Sequence, residues 1–296
     1  MSDAPDPRIT PARDDLAAAS LRGRVSAPRY VNGEACQVVQ DGAVLRFSPS
    51  ATARQESQLL YGELFTVYDR QDGWCWGQNQ TDGYVGYVAA EALSTAVHEP
   101  DHMVATRFTH LYPAPDLKQP PLGGISMCAQ VQLVDVDNGF GQILDGSWIY
   151  AKHLVPLDFA TPDVIGTGLK FLGTPYLWGG RSANGVDCSS LVQLALRLAG
   201  LRVPRDSDMQ ETAVGTAVPM SDPHDFSAVE EGDLVFFPGH VGFFVSGWRF
   251  LHANAFDMLV SIHRFSEVLD RADAGNAGVT AIRRLPQTAS LTPVES

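Results

Sequence analysis

An apolar stripe with helical spacing runs through residues 188–198, in the second half of the chain. Its members recur at i, i+3, i+4 and i+7, the spacing that places side chains on one face of an α-helix. They are Leu191, Leu194, Ala195 and Leu198. Gly200 is a typical C-terminal stop, and Asp187 is a typical N-cap residue. The pattern predicts an apolar helix whose first turn contains Cys188.

Short apolar runs typical of β-strands follow at residues 234–237, 240–245 and 250–253. The first two are separated by a Pro-Gly pair, which predicts a tight turn. His240 begins the second run and His252 lies in the third. Both histidines are therefore expected in neighbouring strands of one sheet.

The loop at residues 246–248 decides whether the two histidines share a face of that sheet. A loop of three residues places both imidazoles on one face, with Gly242 opposite His252. A two-residue loop would point them to opposite faces, so joint action requires the longer loop or a bulge. Taken singly, each histidine is more often a half-buried strand residue with no special role.

Before residue 160 the pattern changes to short Val, Leu, Tyr and Trp runs broken by Gly, Asp, Asn and Pro. Two such segments, at about 40–93 and 105–154, predict small β-barrels rather than helices. Residues 45–48 resemble residues 106–109, and both segments close on a strand with Gly and aromatic residues. This internal repeat of about 60 residues predicts two copies of one small domain.

The ends and the junction have simpler patterns. Residues 1 to about 25 and 287–296 are polar with Pro or Ser, and we expect them to be loose or draped over the surface. Pro162 is expected at the first position of a helix that runs to about Leu172, where the C-terminal domain begins.

Cys188 is a candidate nucleophile because of its expected place at a helix N-terminus. Free backbone N–H groups and the positive end of the helix dipole favour a thiolate there. Such surroundings lower a thiol pKa from about 8.5 to roughly 3.5–7.5. The competing interpretation is a packed thiol, because cysteine is among the most buried residue types.

Several blocks in the second half resemble the NlpC/p60 cysteine peptidases, in the right order over about 120 residues. They are residues 171–180, 187–192, 204–207, 232–237 and 240–242. The resemblance implies an α+β papain-like catalytic domain that cleaves peptide stems of the bacterial cell wall. The implied reaction requires no cofactor and no metal. A shorter turn before His240 and the run 242–245 depart from the family pattern and leave the leaving-group side of the groove in doubt.

The resemblance also assigns the catalytic roles. Cys188 is the nucleophile, His240 the general base, and His252 the polar residue that orients His240. The Cys188 backbone N–H and the Tyr176 hydroxyl are expected to hold the oxyanion. Tyr176 is equally well explained as a core aromatic, since buried tyrosines usually find some hydrogen-bond partner.

With two SH3-like barrels in front, the chain resembles the γ-D-glutamyl-L-diamino acid endopeptidases of the dipeptidyl-peptidase VI type, which require a free N-terminal L-alanine. A buried ammonium needs a carboxylate and further acceptors to offset its desolvation. The family pattern points to Glu56, Tyr84 and Asp187 for this task. Glu56 is nearly as well explained as a solvated surface charge. The positions expected to line the γ-D-Glu subsite are Ser189, Ser207 and Trp178.

These patterns divide the chain into five expected segments. They are an N-terminal extension at 1–30, a substrate-gating barrel at 31–97, a second barrel at 98–158, the peptidase domain at 159–286 and a tail at 287–296. A chain of 296 residues, 45% of them hydrophobic, can bury cores for two or three domains.

Composition bears on location and partners. There is no run of 18 apolar residues and no basic segment followed by an apolar core at the N-terminus, so we expect neither a membrane span nor a signal peptide. The four cysteines lack close pairs or metal-ligand spacing, which favours a reducing compartment and a cytoplasmic enzyme. A formal charge of −13 argues against nucleic acid and against adhesion to the anionic wall polymer. A monomer is favoured, although the oligomeric state is left open.

The expected reaction is hydrolysis of L-Ala-γ-D-Glu-meso-diaminopimelate at the γ-D-Glu bond during recycling of wall peptides. A lytic endopeptidase on intact peptidoglycan would use the same Cys188. A non-catalytic muropeptide-binding protein would need to have lost the nucleophile or the base, and an acyltransferase would share both. The sequence leaves open whether the diamino acid is meso-diaminopimelate or lysine, and what the second barrel does.

Overall fold

The computed structural model describes residues 5–220 and 225–286, and the predicted tail at 287–296 lies outside them. The chain forms two compact units, which divide after Leu157. No helix in the described ranges has the length and apolar character needed to cross a membrane.

The N-terminal extension is more ordered than predicted. It forms a small sheet of β1 (Ala12–Arg13), β2 (Leu16–Ala18) and β3 (Tyr30–Val31). Its apolar side chains build a small core of their own, which also contacts Tyr68 of the first barrel. The guanidinium of Arg13 lies over the ring of Trp76 at 4.9 Å and forms an ion pair with Asp69. These contacts hold the part of the extension expected to be loose.

The first barrel is a seven-stranded sheet in the order β10-β4-β7-β8-β9-β5-β6. Its strands are β4 (Glu34–Val38), β5 (Ala43–Arg46), β6 (Gln55–Leu59), β7 (Leu64–Gln71), β8 (Trp74–Asn79), β9 (Val85–Ala89) and β10 (Leu93–Ser94). Alternate residues of these strands, including Leu45, Leu59 and Phe65, fill one apolar core.

The second segment is also built of short strands around its own apolar core. Its strands are β11 (His102–Val104), β12 (Phe108–Leu111), β13 (Gly123–Ser126), β14 (Gln130–Val131), β15 (Leu133–Asp137), β16 (Phe140–Ile143), β17 (Trp148–Tyr150) and β18 (Leu154–Pro156). They form sheets in the orders β14-β11-β18, β12-β13 and β15-β16-β17.

The structure repeats itself as the sequence predicts. Each copy ends with a strand, a single 3-10 turn and a short strand, where the turns are Ala90–Ala92 and Ala151–His153. In each copy this closing strand pairs antiparallel with the first strand, β10 with β4 and β18 with β11. The correspondence of elements and pairings supports one small fold in two copies.

In the second unit, α1 (Val164–Leu169) is shorter than predicted and does not begin at Pro162. Asp163 is the N-cap, and its carboxylate accepts a hydrogen bond from the Gly166 amide at 2.7 Å. This side-chain cap sets the helix start one residue after Asp163. The short strands β19 (Arg181–Ser182) and β20 (Gly185–Val186) then form a hairpin directly before the predicted apolar helix.

That helix is α2 (Cys188–Leu198), and Gly200 follows it with a φ of 81°, as expected of a C-terminal glycine. It packs on a six-stranded sheet in the order β21-β26-β22-β23-β24-β25. The remaining elements are α3 (Ser207–Ala213), β21 (Thr216–Ala217), β22 (Leu234–Phe237), β23 (His240–Val245), β24 (Arg249–Asn254), β25 (Leu259–Arg264), α4 (Phe265–Ala274) and β26 (Ala281–Arg284). The α+β architecture of this unit behind all-β domains confirms the predicted fold class.

Candidate active site

Cys188 is the first residue of α2, and its position is fixed by the cap before it. Asp187 accepts a hydrogen bond from the Ser190 amide at 2.8 Å, and Ser190 Oγ accepts one from the Asp187 amide at 3.0 Å. This reciprocal capping box closes the first turn. Cys188 is 6% exposed, so its sulfur is largely shielded from solvent.

The Asp187 carboxylate is held by several donors besides the cap. Arg205 reaches both of its oxygens, at 3.0 Å and 2.6 Å, and the Gly179 amide donates at 2.9 Å. Arg205 is 1% exposed, so the pair is a buried ion pair in which each charge compensates the other. The Arg205 guanidinium and these hydrogen bonds outweigh burial and hold the pKa of Asp187 below its usual range.

The hairpin of β22 and β23 also contacts the Cys188 sulfur. Pro238 and Gly239 form its two-residue turn, with Gly239 at a φ of 70°. The Cys188 Sγ lies 4.0 Å from the Gly239 carbonyl oxygen, and the Val241 amide donates a hydrogen bond to it. His240 therefore lies between two residues whose backbones contact the Cys188 sulfur.

His240 and His252 are joined directly. Strands β23 and β24 pair Val245 with Arg249, so the loop between them has three residues and Gly242 falls opposite His252. The His240 Nε2 lies 2.8 Å from the His252 Nδ1. The three-residue loop and the shared face expected from the sequence are thus confirmed.

The arrangement differs from the predicted thiolate. Burial and the charge of Asp187 raise the pKa of Cys188 to about 12, despite the opposing amides of Val241 and Ser189. Burial lowers the pKa of His240 to about 4. The expectation of a depressed thiol pKa was wrong for this geometry. Burial of Sγ destabilises the thiolate more than the N-terminus of the helix stabilises it. The resting pair is a neutral thiol and a neutral imidazole.

Tyr176 lies near this pair and is half buried. Burial, together with the nearby Cys188 and Asp187, raises the pKa of its phenol. Its backbone is fixed by the Tyr176 amide, which donates to the Met258 carbonyl at 2.8 Å. The phenol stays protonated at neutral pH and can donate a hydrogen bond, while its oxyanion role stays a prediction.

The three positions expected to line the γ-D-Glu subsite differ in exposure. Ser189 is buried, donates to Asp187 at 3.1 Å and accepts from Arg205 at 2.9 Å. Ser207 is half buried at the first position of α3, and Trp178 is 64% exposed. The indole of Trp178 is therefore largely exposed, whereas Ser189 is part of the network around Asp187.

The residues assigned to the substrate amine include two in the first barrel. Glu56, in β6, forms an ion pair with Arg54 at 2.6 Å, and its side chain is 16% exposed. Tyr84 is buried within the barrel core. Asp187 already accepts bonds from its own cap and from Arg205. The amine contacts of these residues stay predictions.

Some residues in the site were not predicted from the sequence. Arg205 lies within a block that resembles the family, but its neighbours Arg202, Asp206 and Asp208 are also charged, so the sequence does not single it out. Beyond His252, the ring of His263 extends the hydrogen-bonded chain, and the Asp257 carboxylate lies within ion-pair distance of His263. In the described ranges, no cluster of three or more His, Cys, Asp or Glu side chains is arranged to hold a metal ion.

Comparison with family models matches both parts of the chain. Residues 173–271 match the NlpC/P60 family, and residues 45–93 match the bacterial dipeptidyl-peptidase Sh3 domain. The first match contains the cysteine and both histidines, and the second lies within the first barrel.

Relatives and solved structures extend the likeness over most of the chain. A γ-D-glutamyl-L-lysine dipeptidyl-peptidase of Bacillus subtilis is 28% identical over 241 residues, 72% of this chain and 77% of the relative. Dipeptidyl-peptidase 6 of Lysinibacillus sphaericus is 24% identical over 76% of this chain and 89% of its own. The crystal structure of an NlpC/P60 family protein from Bacillus cereus superimposes with a TM-score of 0.71 at 21% identity, covering 85% of this chain and all of that one, which supports the fold.

Proposed function

We propose that this chain, whose residues 173–271 match the NlpC/P60 family, is a cysteine peptidase that hydrolyses the bond between γ-D-glutamate and the diamino acid in wall peptides with a free N-terminal L-alanine. The observation that carries this proposal is the Cys188 sulfur at a capped helix terminus, beside a strand whose His240 is bonded to His252. Relatives named γ-D-glutamyl-L-lysine dipeptidyl-peptidase support the substrate class.

The proposed chemistry couples proton transfer to nucleophilic attack. Since His240 Nε2 is engaged by His252, its Nδ1 is the nitrogen left to accept the thiol proton of Cys188. The sulfur attacks the γ-carbonyl carbon and forms a C–S bond as the carbonyl π-electrons move to oxygen. The Cys188 amide and the Tyr176 hydroxyl are the proposed donors to that oxygen.

Collapse of the tetrahedral intermediate breaks the C–N bond, and His240 Nδ1–H protonates the departing amine of the diamino acid. Water then attacks the thioester with His240 as base. The C–S bond breaks, and the sulfur regains a proton from His240. Because the thiol and the imidazole are neutral at rest, proton transfer must accompany attack rather than precede it.

The free-amine requirement is a further part of the proposal. Glu56 is a carboxylate with one exposed cationic partner, Arg54, and a substrate ammonium could replace that partner without leaving the carboxylate uncompensated. We assign Glu56, Tyr84 and Asp187 to the amine, and Trp178, Ser189 and Ser207 to the γ-D-Glu portion, as the family resemblance implies.

We further propose that the enzyme acts in the cytoplasm on recycled peptides. All four cysteines are free thiols, as expected of a protein kept in a reducing compartment. The high negative charge disfavours attachment to the anionic wall polymer.

The test is hydrolysis of L-Ala-γ-D-Glu-L-Lys and its meso-diaminopimelate counterpart, each with a free and an acetylated amine. We expect release of the diamino acid from the free-amine peptides alone, and none with Cys188→Ala.

Glu56→Gln should raise KM for the free-amine peptide, whereas Glu91→Gln, on an exposed turn of the same barrel, should not. Equal cleavage of acetylated peptides would favour a lytic endopeptidase. No cleavage of any peptide would favour a binding protein or an acyltransferase.

A further inference from the structure

The chain of hydrogen-bonded rings does not end at His252. The His252 Nε2 lies 2.9 Å from the His263 Nδ1, and the His263 Nε2 lies 3.0 Å from an Asp257 carboxylate oxygen. Together with the 2.8 Å contact between His240 and His252, this makes a continuous line of three imidazoles and one carboxylate.

The sheet register produces this line. Strands β24 and β25 pair His252 with Ser261, so His263, two residues further along, lies on the same face as His252. Asp257 is in the loop that joins these strands, where its amide donates to Asn254 Oδ1 at 2.8 Å. Its carboxylate oxygen also accepts from Ser261 Oγ at 2.7 Å. The loop therefore holds the carboxylate in place from two sides.

A carboxylate at one end of the line determines every tautomer in it. An ionised Asp257 only accepts, and its oxygen at 3.0 Å favours a proton on His263 Nε2, so that a neutral His263 accepts on Nδ1. His252 then donates from Nε2 and accepts on Nδ1, and His240 donates from Nε2. The Nδ1 of His240 is left unprotonated, which is the state that a base for Cys188 needs.

We propose that Asp257 and His263 are positioning residues that fix His240 as a base and receive its positive charge during the reaction. The inference rests on the proposed peptidase function. When His240 Nδ1 takes the thiol proton, its Nε2 proton moves to His252 Nδ1, and the His252 Nε2 proton moves to His263 Nδ1. The imidazolium then stands beside the Asp257 carboxylate, and the reverse sequence returns a proton to the leaving amine.

The surroundings of each ring support this placement of charge. Burial lowers the pKa of His240 to about 4, and burial with the neighbouring rings lowers the pKa of His252 to about 2. The His263 side chain is 15% exposed and adjoins a carboxylate whose pKa is held low by Ser261 and His263. From α4, Arg271 acts on His252 and on Asp257, which further disfavours a cation at His252.

The first test is the kinetics of Asp257→Asn beside Asp270→Asn, which makes the same change at an exposed carboxylate of α4. We expect Asp257→Asn to lower kcat at least about tenfold with KM unchanged within about twofold, Asp257→Glu to recover part of the loss, and Asp270→Asn to retain near-normal kcat. A loss of kcat in Asp257→Asn that Asp270→Asn reproduces, or that is matched by an equal loss of folding stability, would overturn the proposal.

The second test is the pH dependence of kcat, in particular the fall of kcat at low pH, which we call the acidic limb. If Asp257 had only a structural role, its substitution would not change the pH at which this fall occurs. A proton added to the line removes the base form of His240, whose pKa burial lowers to about 4, so this limb should reflect that pKa. Removing the Asp257 charge disfavours a positive charge in the line, so the limb should move to lower pH in Asp257→Asn. An unchanged limb would contradict the relay.

A spectroscopic test separates this inference from the proposed function. Nitrogen NMR of the histidine rings in the full chain, assigned with His263→Gln, should show His263 protonated on Nε2 alone above the acidic limb. In Asp257→Asn, the fraction of His263 that is protonated on Nε2 should fall. If the wild type cleaves no peptide yet shows these tautomers, the function fails and the relay stands; a His263 protonated on Nδ1 would overturn the relay even in an active enzyme.

Discussion

At the scale of single residues, the site is governed by the cost of burying charge. Cys188 and His240 each favour the neutral form because water is excluded from both, and Asp187 nearby carries a compensated negative charge. Arg205 is the residue that makes this carboxylate tolerable, since a buried charge without its partner is strongly destabilising. In the proposed reaction, Cys188 is therefore activated during attack and is not stored as a thiolate.

This neutral ground state predicts the pH dependence of thiol alkylation. With the pKa of Cys188 raised to about 12, the thiolate fraction grows with every unit of pH below that value. We expect the rate of iodoacetamide modification to rise about tenfold per pH unit between roughly pH 6 and 9. The measurement is loss of peptidase activity together with mass spectrometry of the Cys188 peptide.

The control for that experiment is Cys188→Ser, which reports modification of the three other thiols, all buried. A rate that is already high and constant from about pH 6 upward would indicate a stored thiolate and imidazolium pair. That outcome would reinstate the depressed thiol pKa expected from the helix terminus alone.

At the scale of elements, the site depends on how closely β23 and β24 approach. Gly242 lies opposite His252, and a Cβ at that position would stand 2.7 Å from the Leu251 carbonyl oxygen and 2.8 Å from the His252 Cβ. No side chain fits there without moving one strand away from the other. The glycine is therefore what allows the two imidazoles to meet at 2.8 Å.

Gly242→Ala should accordingly damage catalysis and stability together. We expect a loss of about 1–3 kcal/mol in the free energy of unfolding from overpacking, and a fall in kcat of at least about tenfold as the histidine pair separates. Urea unfolding and peptide hydrolysis are the measurements. The matched control is Gly278→Ala, where the new Cβ would lie 3.7 Å from its nearest neighbour, an ordinary contact distance. This control should change neither the stability nor kcat. Near-normal stability and kcat in Gly242→Ala would show that the strands can separate without cost.

The elements that could be predicted from the sequence are those set by local chemistry. The cap at Asp187, the Pro-Gly turn before His240 and the loop at 246–248 each depend on residues a few positions apart. The start of α1 was misplaced because a side-chain cap at Asp163 outweighed the preference of Pro162 for a first helical position.

Other parts of the site depend on contacts that the sequence does not order. Arg205 reaches Asp187 across 18 positions of chain. His263 meets His252 only through the diagonal of a strand pair, and a shift of one residue in that pairing would send it to the other face. Likewise, the extension before residue 30 looks polar and loose, yet Arg13 anchors it through an aromatic ring and a carboxylate in the barrel.

At the scale of the whole molecule, charge distinguishes a recycling endopeptidase from a lytic one. The chain carries 34 acidic and 21 basic residues, a formal net charge of −13. A lytic enzyme must stay on an anionic polymer, where such a charge produces repulsion. A recycling enzyme meets small soluble peptides, for which long-range adhesion is unnecessary.

This difference predicts how the protein behaves with intact wall sacculi. The range of electrostatic repulsion is about 30 Å at 0.01 M salt and about 10 Å at 0.1 M. We therefore expect little protein to sediment with purified sacculi at low salt, and any bound fraction to grow as salt is added. A basic protein of similar size, as control, should sediment at low salt and be released by salt. Strong sedimentation at low salt, accompanied by release of peptides from the intact polymer, would assign the enzyme to wall lysis, because only short-range contacts dedicated to the wall could overcome a charge of this size.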